Sequence, residues 1–452
     1  MSLLQIAWRN FRHRALSSLL TTFSLALGVA LVVLVLAIYG IVTDAFRRNS
    51  AVSYNIVVGP KGSALQLTLN SVYYLSQPIE NLPYTEYMEF MTQAKRAEEV
   101  KKFGGSKALG ERAGKYAAYV TGGFAIPLAL GDYYGEFRVV GTIPEFFEQL
   151  RHGPDLEQKF EFSEGRNFQT NSEENGYFEA VVGSRVAAEF GVKAGDVFYP
   201  THGDPEGKGH ADAFKIVGIL APTGTPNDRA TFVNMEGFYL MEGHAKPVDA
   251  PEEDFVEGET PKDAKVRPLS IPEREVTAIL VRNGGLWGPQ MMNVVNEGLQ
   301  SQAAAPVGEI NKMLSQIIGP LLTALLIITV ITCVVAAVGI LVAIYNSMND
   351  RRRDIAVMRA LGARREAVTG IILLESLLIA VIGGILGWVL AHAAIAIASP
   401  AIEARTGVQS TFFTVSSFEW LVFPLVLLLA ALAGLLPAMV AYRTDVSRNL
   451  AA

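Results

Sequence analysis

Charge is scarce in this chain of 452 residues: Asp, Glu, Lys and Arg make up 18% of it, while half is hydrophobic. Ordinary soluble domains carry about a quarter charged residues, so that class is excluded at the outset. Cysteine is nearly absent as well. The single Cys333 lies inside an apolar run, so no intrachain disulfide can staple an aqueous region, which must rely on its own core. A phosphate-binding loop is also missing. "GERAGKY" has Tyr116 after Lys115 and the wrong glycine spacing, and "GPKGS" has no Gly-Lys-Ser/Thr end. The expectation is a chain that is not an ATPase by itself, binds no cofactor directly and has no nucleic-acid partner.

What the sequence does have is long uncharged runs. Residues 15–43 (29 residues), 313–349 (37 residues) and 420–442 (23 residues) contain no Asp, Glu, Lys or Arg, and 367–402 contains only Glu375. A spanning helix needs about 20 apolar residues. Four spans follow, and the first run is too long for the apolar core of a secretion signal, so a retained anchor is expected. The expected fold is an α-helical membrane protein of four transmembrane helices, with a large α+β extracytoplasmic domain between the first and second spans.

Arginine sets the orientation. Segments 1–18, 346–366 and 443–452 hold eleven Arg against four acidic residues (Asp350, Asp354, Glu366, Asp445), whereas the other aqueous segments hold 27 Lys or Arg against 39 Asp or Glu. Positive charge gathers on the cytoplasmic side, so both termini are expected there. The resulting segments are a cytoplasmic interfacial helix (1–18), a first span (19–43), the outer domain (44–310), a second span with an outer stalk (311–348), a cytoplasmic helix (349–366), a third span (367–399), an outer loop (400–418), a fourth span (419–442) and a cytoplasmic tail (443–452).

Within 1–18, Leu3, Leu4, Ala7, Trp8 and Phe11 share one helical stripe, as in a helix lying on the inner leaflet; the alternative is the start of a tilted first span. In the outer domain, strands are expected at 54–59, 116–123, 136–142, 179–184, 196–201, 214–220, 230–235 and 276–282, with helices at 84–100, 145–151 and 184–191. The Pro- and acid-rich stretch 246–273 is expected to divide it into two lobes or to form a surface excursion. At 1.5 Å per residue the second run makes about 55 Å of helix against a hydrocarbon core of about 30 Å. It therefore either projects from the bilayer or breaks near Gly319-Pro320.

Charges inside spans mark solute routes, and only Glu375 qualifies here, with His392 near the outer end of the third span. Glu375 is read as pairing within the bundle in preference to relaying protons. Gly383 and Gly387 are four residues apart, and Ala336, Gly339 and Ala343 recur at helical intervals. Such faces allow close helix approach, within the chain or between two copies. His202, His210 and His244, with Asp204 and Asp212, offer ligand types for zinc but no compact spacing, and a solvated loop is the expectation. The stretch 57–84 is either a client-binding loop or buried lobe packing.

"NDRRRDIAVMRALGARREAV" (349–368) carries six arginines between two spans. Ile355, Met358 and Leu361 form an apolar stripe, and Gly362 is a natural helix terminator. A charged helix with such a stripe suits a groove in another protein; alternatively its arginines set orientation and grip anionic lipid. This segment resembles the signature that follows the second span in MacB/FtsX-like ABC transporter permeases, a group that includes LolC/LolE-type permeases. The one-plus-three arrangement of spans, "AVVGSRVAAEFGVKAGDVF" with "FKIVGIL", and the ending "GLLPAMVAYRTDVSRNL" are similar to that family too. Asp354 and Ala356 stand where the family more often has Glu and Gly.

The resemblance implies a coupling helix seated in a separate cytoplasmic ATPase, with Asp350, Arg351, Asp354, Met358, Arg359, Ala360, Leu361, Gly362 and Ala363 as contacts. It implies two permease copies, identical or not, and ATP with Mg²⁺ acting only through the partner. Membrane lipid and a periplasmic partner complete the expected associations. Three functions remain: a mechanotransmitting permease for a lipid, lipoprotein, peptide or similar cargo; an FtsX-like regulator of a cell-wall hydrolase; and a metal-linked transporter or ligand sensor. The size of the outer domain favours the first.

Overall fold

The computed structural model describes residues 2–13, 15–49, 53–153, 155–203, 205, 207, 209–248, 253–259, 266–283, 287–350, 358–359, 362–406, 411–413, 415 and 419–442. The chain divides into two compact units, one of residues 1–45 with 314–452 and the other of residues 46–313.

Four helices in the first unit are long and apolar enough to cross a membrane, with a large domain between the first and the remaining three. The first span lies in the helix Ala15–Asn49, the third in Arg365–Thr406 and the fourth in Val422–Tyr442. Val29, Val33, Ile372, Ile379, Val426 and Ala430 from these three helices close a common apolar core. The N-terminal helix Leu3–His13 buries Ala7 and Phe11 and leaves Leu3, Leu4 and Trp8 exposed.

The second span differs from the others. Its most apolar stretch has none of its residues buried, against half in the first and third spans. The α-helical ladder is interrupted where the sequence suggested: Pro306–Met313 is α-helical, Leu314–Ile318 is a π-turn, and Gly319–Asp350 is α-helical again. Pro320 has no N–H to give, and a wider turn just ahead of it accommodates the missing bond.

Strands of the second unit are β1 (Ile56–Pro60), β2 (Leu82–Pro83), β3 (Gly104–Ser106), β4 (Phe124–Tyr134), β5 (Phe137–Thr142), β6 (Phe162–Gly165), β7 (Glu179–Val182), β8 (Val197–Phe198), β9 (Thr201–His202), β10 (Phe214–Leu220), β11 (Ala230–Asn234), β12 (Phe255–Glu257), β13 (Glu275–Val276), β14 (Ala278–Arg282) and β15 (Ser301–Ala304). The main sheet runs β15-β1-β14-β4-β5-β11-β7-β10-β6, with β8 beside β10 and β9 beside β4. Val, Ile, Leu and Phe dominate its buried positions, the residues that fit a pleated, covered surface.

Two expectations fail. The stretch "YAAYVTGG" contains a 3₁₀ turn, Ala117–Val120, and no strand. The longest strand, β4, escapes sequence reading because "FAIPLALGDYY" carries Pro127, a residue that argues against a central strand. Pro127 is nonetheless tolerated between β14 and β5, opposite Ile279 and with its carbonyl accepting from the Thr142 hydroxyl at 2.9 Å. The expected helix 84–100 is two, Tyr84–Met88 and Gln93–Phe103, because Thr92 starts the second by capping the Lys95 amide.

Two buried carboxylates of this unit, Glu236 and Glu179, are paired with arginine. Arg274 holds Glu236 through two bonds of 2.9 and 2.6 Å, with its guanidinium 3.5 Å from the centre of the Phe103 ring. Glu179 is fully buried and receives bonds from Arg166, Asn175 and the Gln169 amide.

Candidate functional site

Of the nine expected ATPase contacts, Arg351, Asp354, Ala360 and Leu361 lie outside the described residues. Asp350 ends the second-span helix. Beyond it, Met358 and Arg359 are helical, and Gly362 terminates that turn at φ +98°. The Gly362 amide donates to the Arg359 carbonyl (3.1 Å) and the Ala363 amide to the Met358 carbonyl (3.0 Å), the paired bonds of a Schellman end. Met358 is half-buried and packs on the core formed by the first, third and fourth spans. It therefore anchors the segment.

The glycine faces separate into two kinds. A Cβ on Gly383 would stand 3.0 Å from Leu25 Cδ2, and one on Gly387 would stand 2.5 Å from the Ala26 carbonyl oxygen, so both serve packing against the first span of the same chain. Gly339 is exposed, with open space where a Cβ would go. Ala343 lies on the same helix.

Inside the bundle Glu375 is buried next to fully buried Ser376. His392 is fully buried too, and Sequence reading missed its partner: Glu419, just ahead of the fourth-span helix, lies 2.9 Å from His392 Nε2 and accepts from Trp388 Nε1 at 3.2 Å. Glu419 is the first residue of the expected fourth span, and no pattern connected it to a residue 27 positions earlier.

A third constellation lies in the outer domain. Asp132 stands near the end of β4, where pairing with β5 slips between Leu130 and Tyr133. Such an irregularity re-aims a side chain, and here the carboxylate is fully buried. β9 pairs with β4 and sets His202 opposite Asp132. The chain then doubles back: Thr201 bridges Gly209, and the His210 amide donates to the Pro200 carbonyl at 2.9 Å. His244 arrives from the other side, after the helix Met235–Leu240 and a turn with Gly243 at φ +89°.

Each imidazole stands 3.2 Å from the carboxylate, His202 through Nδ1 to Oδ1 and His210 and His244 through Nε2 to Oδ2. One donor atom from each of the four residues lies within 4.8 Å of every other. His202 is 58% exposed, whereas the side chains of His210 and His244 are 5% and 6% exposed. Burial pushes the His210 imidazole below its ordinary range, against the pull of Asp132. His202 and His244 also line a cavity of about 500 Å³ with Gln77, Arg138, Lys246 and Glu275.

The solvated-loop expectation thus fails for His210 and His244. Asp212 stays outside the cluster, Asp204 lies outside the described residues, and the fourth member, Asp132, was not anticipated. Its only sequence signal is an acid in an otherwise apolar strand.

Two family models match the chain: a MacB-like periplasmic core domain over residues 18–256 and an FtsX-like permease C-terminal domain over residues 326–446. Among curated proteins, an ABC transporter permease of Methanocaldococcus jannaschii is 22% identical over 86% of this chain and 82% of its own length. The macrolide export ATP-binding/permease protein MacB of Bordetella avium is 33% identical over 27% of this chain, and that of Rhodopirellula baltica 25% identical over 30%. These matches span 18% of the length of each MacB protein.

Proposed function

Because this chain belongs to the MacB/FtsX-like family of ABC transporter permeases, we propose that it transmits the work of a separate cytoplasmic ATPase to its extracytoplasmic domain, acting there on a lipid, lipoprotein, peptide or similar cargo. The observation that carries this reading is the joint family match across both units: a MacB-like periplasmic core followed by an FtsX-like membrane domain. Family membership implies the ATPase. The rest of the assignment is our reading: both termini in the cytoplasm, and the segment 349–366 as the surface that meets the ATPase.

Physical features support it. The Schellman end at Gly362 gives the cytoplasmic segment a fixed stop, and Met358 ties it to the bundle, so a push on the segment reaches the spans. The apolar faces of the second span are unburied and Gly339 is open, which suits contact with a second permease copy in the bilayer.

Co-purification with the cognate ATPase tests the reading. Met358→Glu is a poor probe because it disturbs bundle packing, so Arg351→Glu with Leu361→Glu is preferred. Retention of the ATPase by the parent chain and its loss from an intact double variant is the expected result. Equal retention by both would sink the coupling-helix assignment.

A further inference from the structure

We infer that Asp132, His202, His210 and His244 form a binding site for one divalent transition-metal ion, zinc foremost. The sequence offered His202, His210 and His244 as ligand types without a ligand spacing, and the inference does not rest on the permease reading.

The geometry carries it. A tetrahedral zinc with bonds of about 2.0 Å sets its ligands about 3.3 Å apart, and all three imidazoles stand 3.2 Å from the Asp132 carboxylate. Among the described residues neither Asp132 oxygen is in hydrogen-bonding geometry with any partner, nor are the Nε2 atoms of His210 and His244. Atoms that crowd this closely without aligning a proton between them are arranged as ligands of a common centre are. A fully buried carboxylate with no aligned donor among the described residues is costly to keep charged, and a dication removes that cost.

The placement is built rather than accidental. Three of the chain's six histidines come to one carboxylate from β9, from the turn after Gly209 and from the segment following helix Met235–Leu240. Phe238 packs edge-on to His244 at 4.4 Å between ring centres and shields one side, while the 500 Å³ cavity gives an entry path past His202.

Imidazole donors select zinc, copper or nickel over magnesium and calcium, which prefer all-oxygen shells. Four protein ligands complete a tetrahedron and leave no position for a reactive water, so the ion is held rather than used in hydrolysis. Its effect is to tie two loops to β4 at the mouth of the cavity.

The test uses the full chain in nanodiscs, stripped with a chelator, desalted and titrated with Zn²⁺ and, separately, with Co²⁺, Mg²⁺ and Ca²⁺. Expected are one Zn²⁺ per chain by elemental analysis, the visible absorption of tetrahedral Co²⁺, and no competition from Mg²⁺ or Ca²⁺. Asp132→Asn removes the central ligand but alters a buried site. His202→Asn is therefore the deciding variant, because its side chain is largely exposed and its loss spares the core. It should weaken Zn²⁺ binding at least ~10-fold, the smallest cost expected for a metal-site residue. His13→Asn, on the exposed face of the N-terminal helix, should bind as the parent does. No stoichiometric Zn²⁺ in the parent chain, or His202→Asn binding as tightly as the parent, overturns the proposal.

Discussion

Gly387 lies so close to Ala26 that a Cβ on it would stand 2.5 Å from the Ala26 carbonyl oxygen, with Val29 Cβ only 2.7 Å away. The third span meets the first, backbone to backbone, and only a glycine allows it. Gly387→Ala should force the helices apart and lower stability by about 1–3 kcal/mol, the usual range for overpacking. Gly339→Ala, with open space at its Cβ, should be neutral. Thermal unfolding of both variants in detergent is the check, and equal melting temperatures would contradict it.

The Arg274–Glu236 pair predicts a larger effect. Both side chains are buried, with exposures of 0% and 6%. Arg274→Met leaves Glu236 charged and unanswered, which should cost about 3–5 kcal/mol. Adding Glu236→Leu to that variant should recover part of the loss. A double variant no more stable than the single one would show that the pair does not act as a unit.

Glu179 makes stability depend on acidity. Burial pushes its pKa up, but bonds from Arg166, Asn175, the Gln169 amide and Ser172 outweigh that and hold it down to about 2. A carboxyl lowered on folding stabilises above its unfolded pKa, near 4.5, and that contribution fades as the pH falls from there toward about 2. Its ceiling is about 3 kcal/mol. Glu179→Gln should therefore flatten the acid limb of a plot of melting temperature against pH. An unchanged slope between pH 5 and pH 3 would rule this out.

Gly362 tests the coupling segment without touching its charges. Its φ of +98° is strained for any residue with a side chain. Gly362→Val should leave the outer domain's melting unchanged yet reduce the ATPase activity that the assembled complex shows. Activity equal to that of the parent complex would mean that the helix end plays no part in transmission.

How legible all this was depends on the distance over which each feature is encoded. The spans follow from composition alone, and strand "FKIVGIL" was located residue for residue as β10, because apolar β-branched runs act locally. Gly362 announced its own helix end for the same reason. β4 was hidden by Pro127 and by the irregularity at Asp132, both of which are stabilised by neighbours far along the chain. The cluster was hidden more deeply. Asp132 and His244 are more than a hundred positions apart, and only the pairing of β4 with β9 and the turn at Gly243 bring them together.

The π-turn at Leu314–Ile318 is a helix carrying one residue too many. If that surplus were absorbed into regular α-helix, everything beyond it would rotate by about 100° and shift by about 1.5 Å. Leu321, Leu326, Ile327, Ile328, Val330, Ile331, Val334 and Val335 are all exposed and cover the greater part of the circumference, so over most of its girth the rotated surface is as greasy as the first. The hydroxyls of Thr323 and Thr332 bond back to Gly319 and Ile328 within the helix and turn with it. The second span is in this sense an axle greased on all but one side, where Ala337 and Leu341 lie against the core of the bundle.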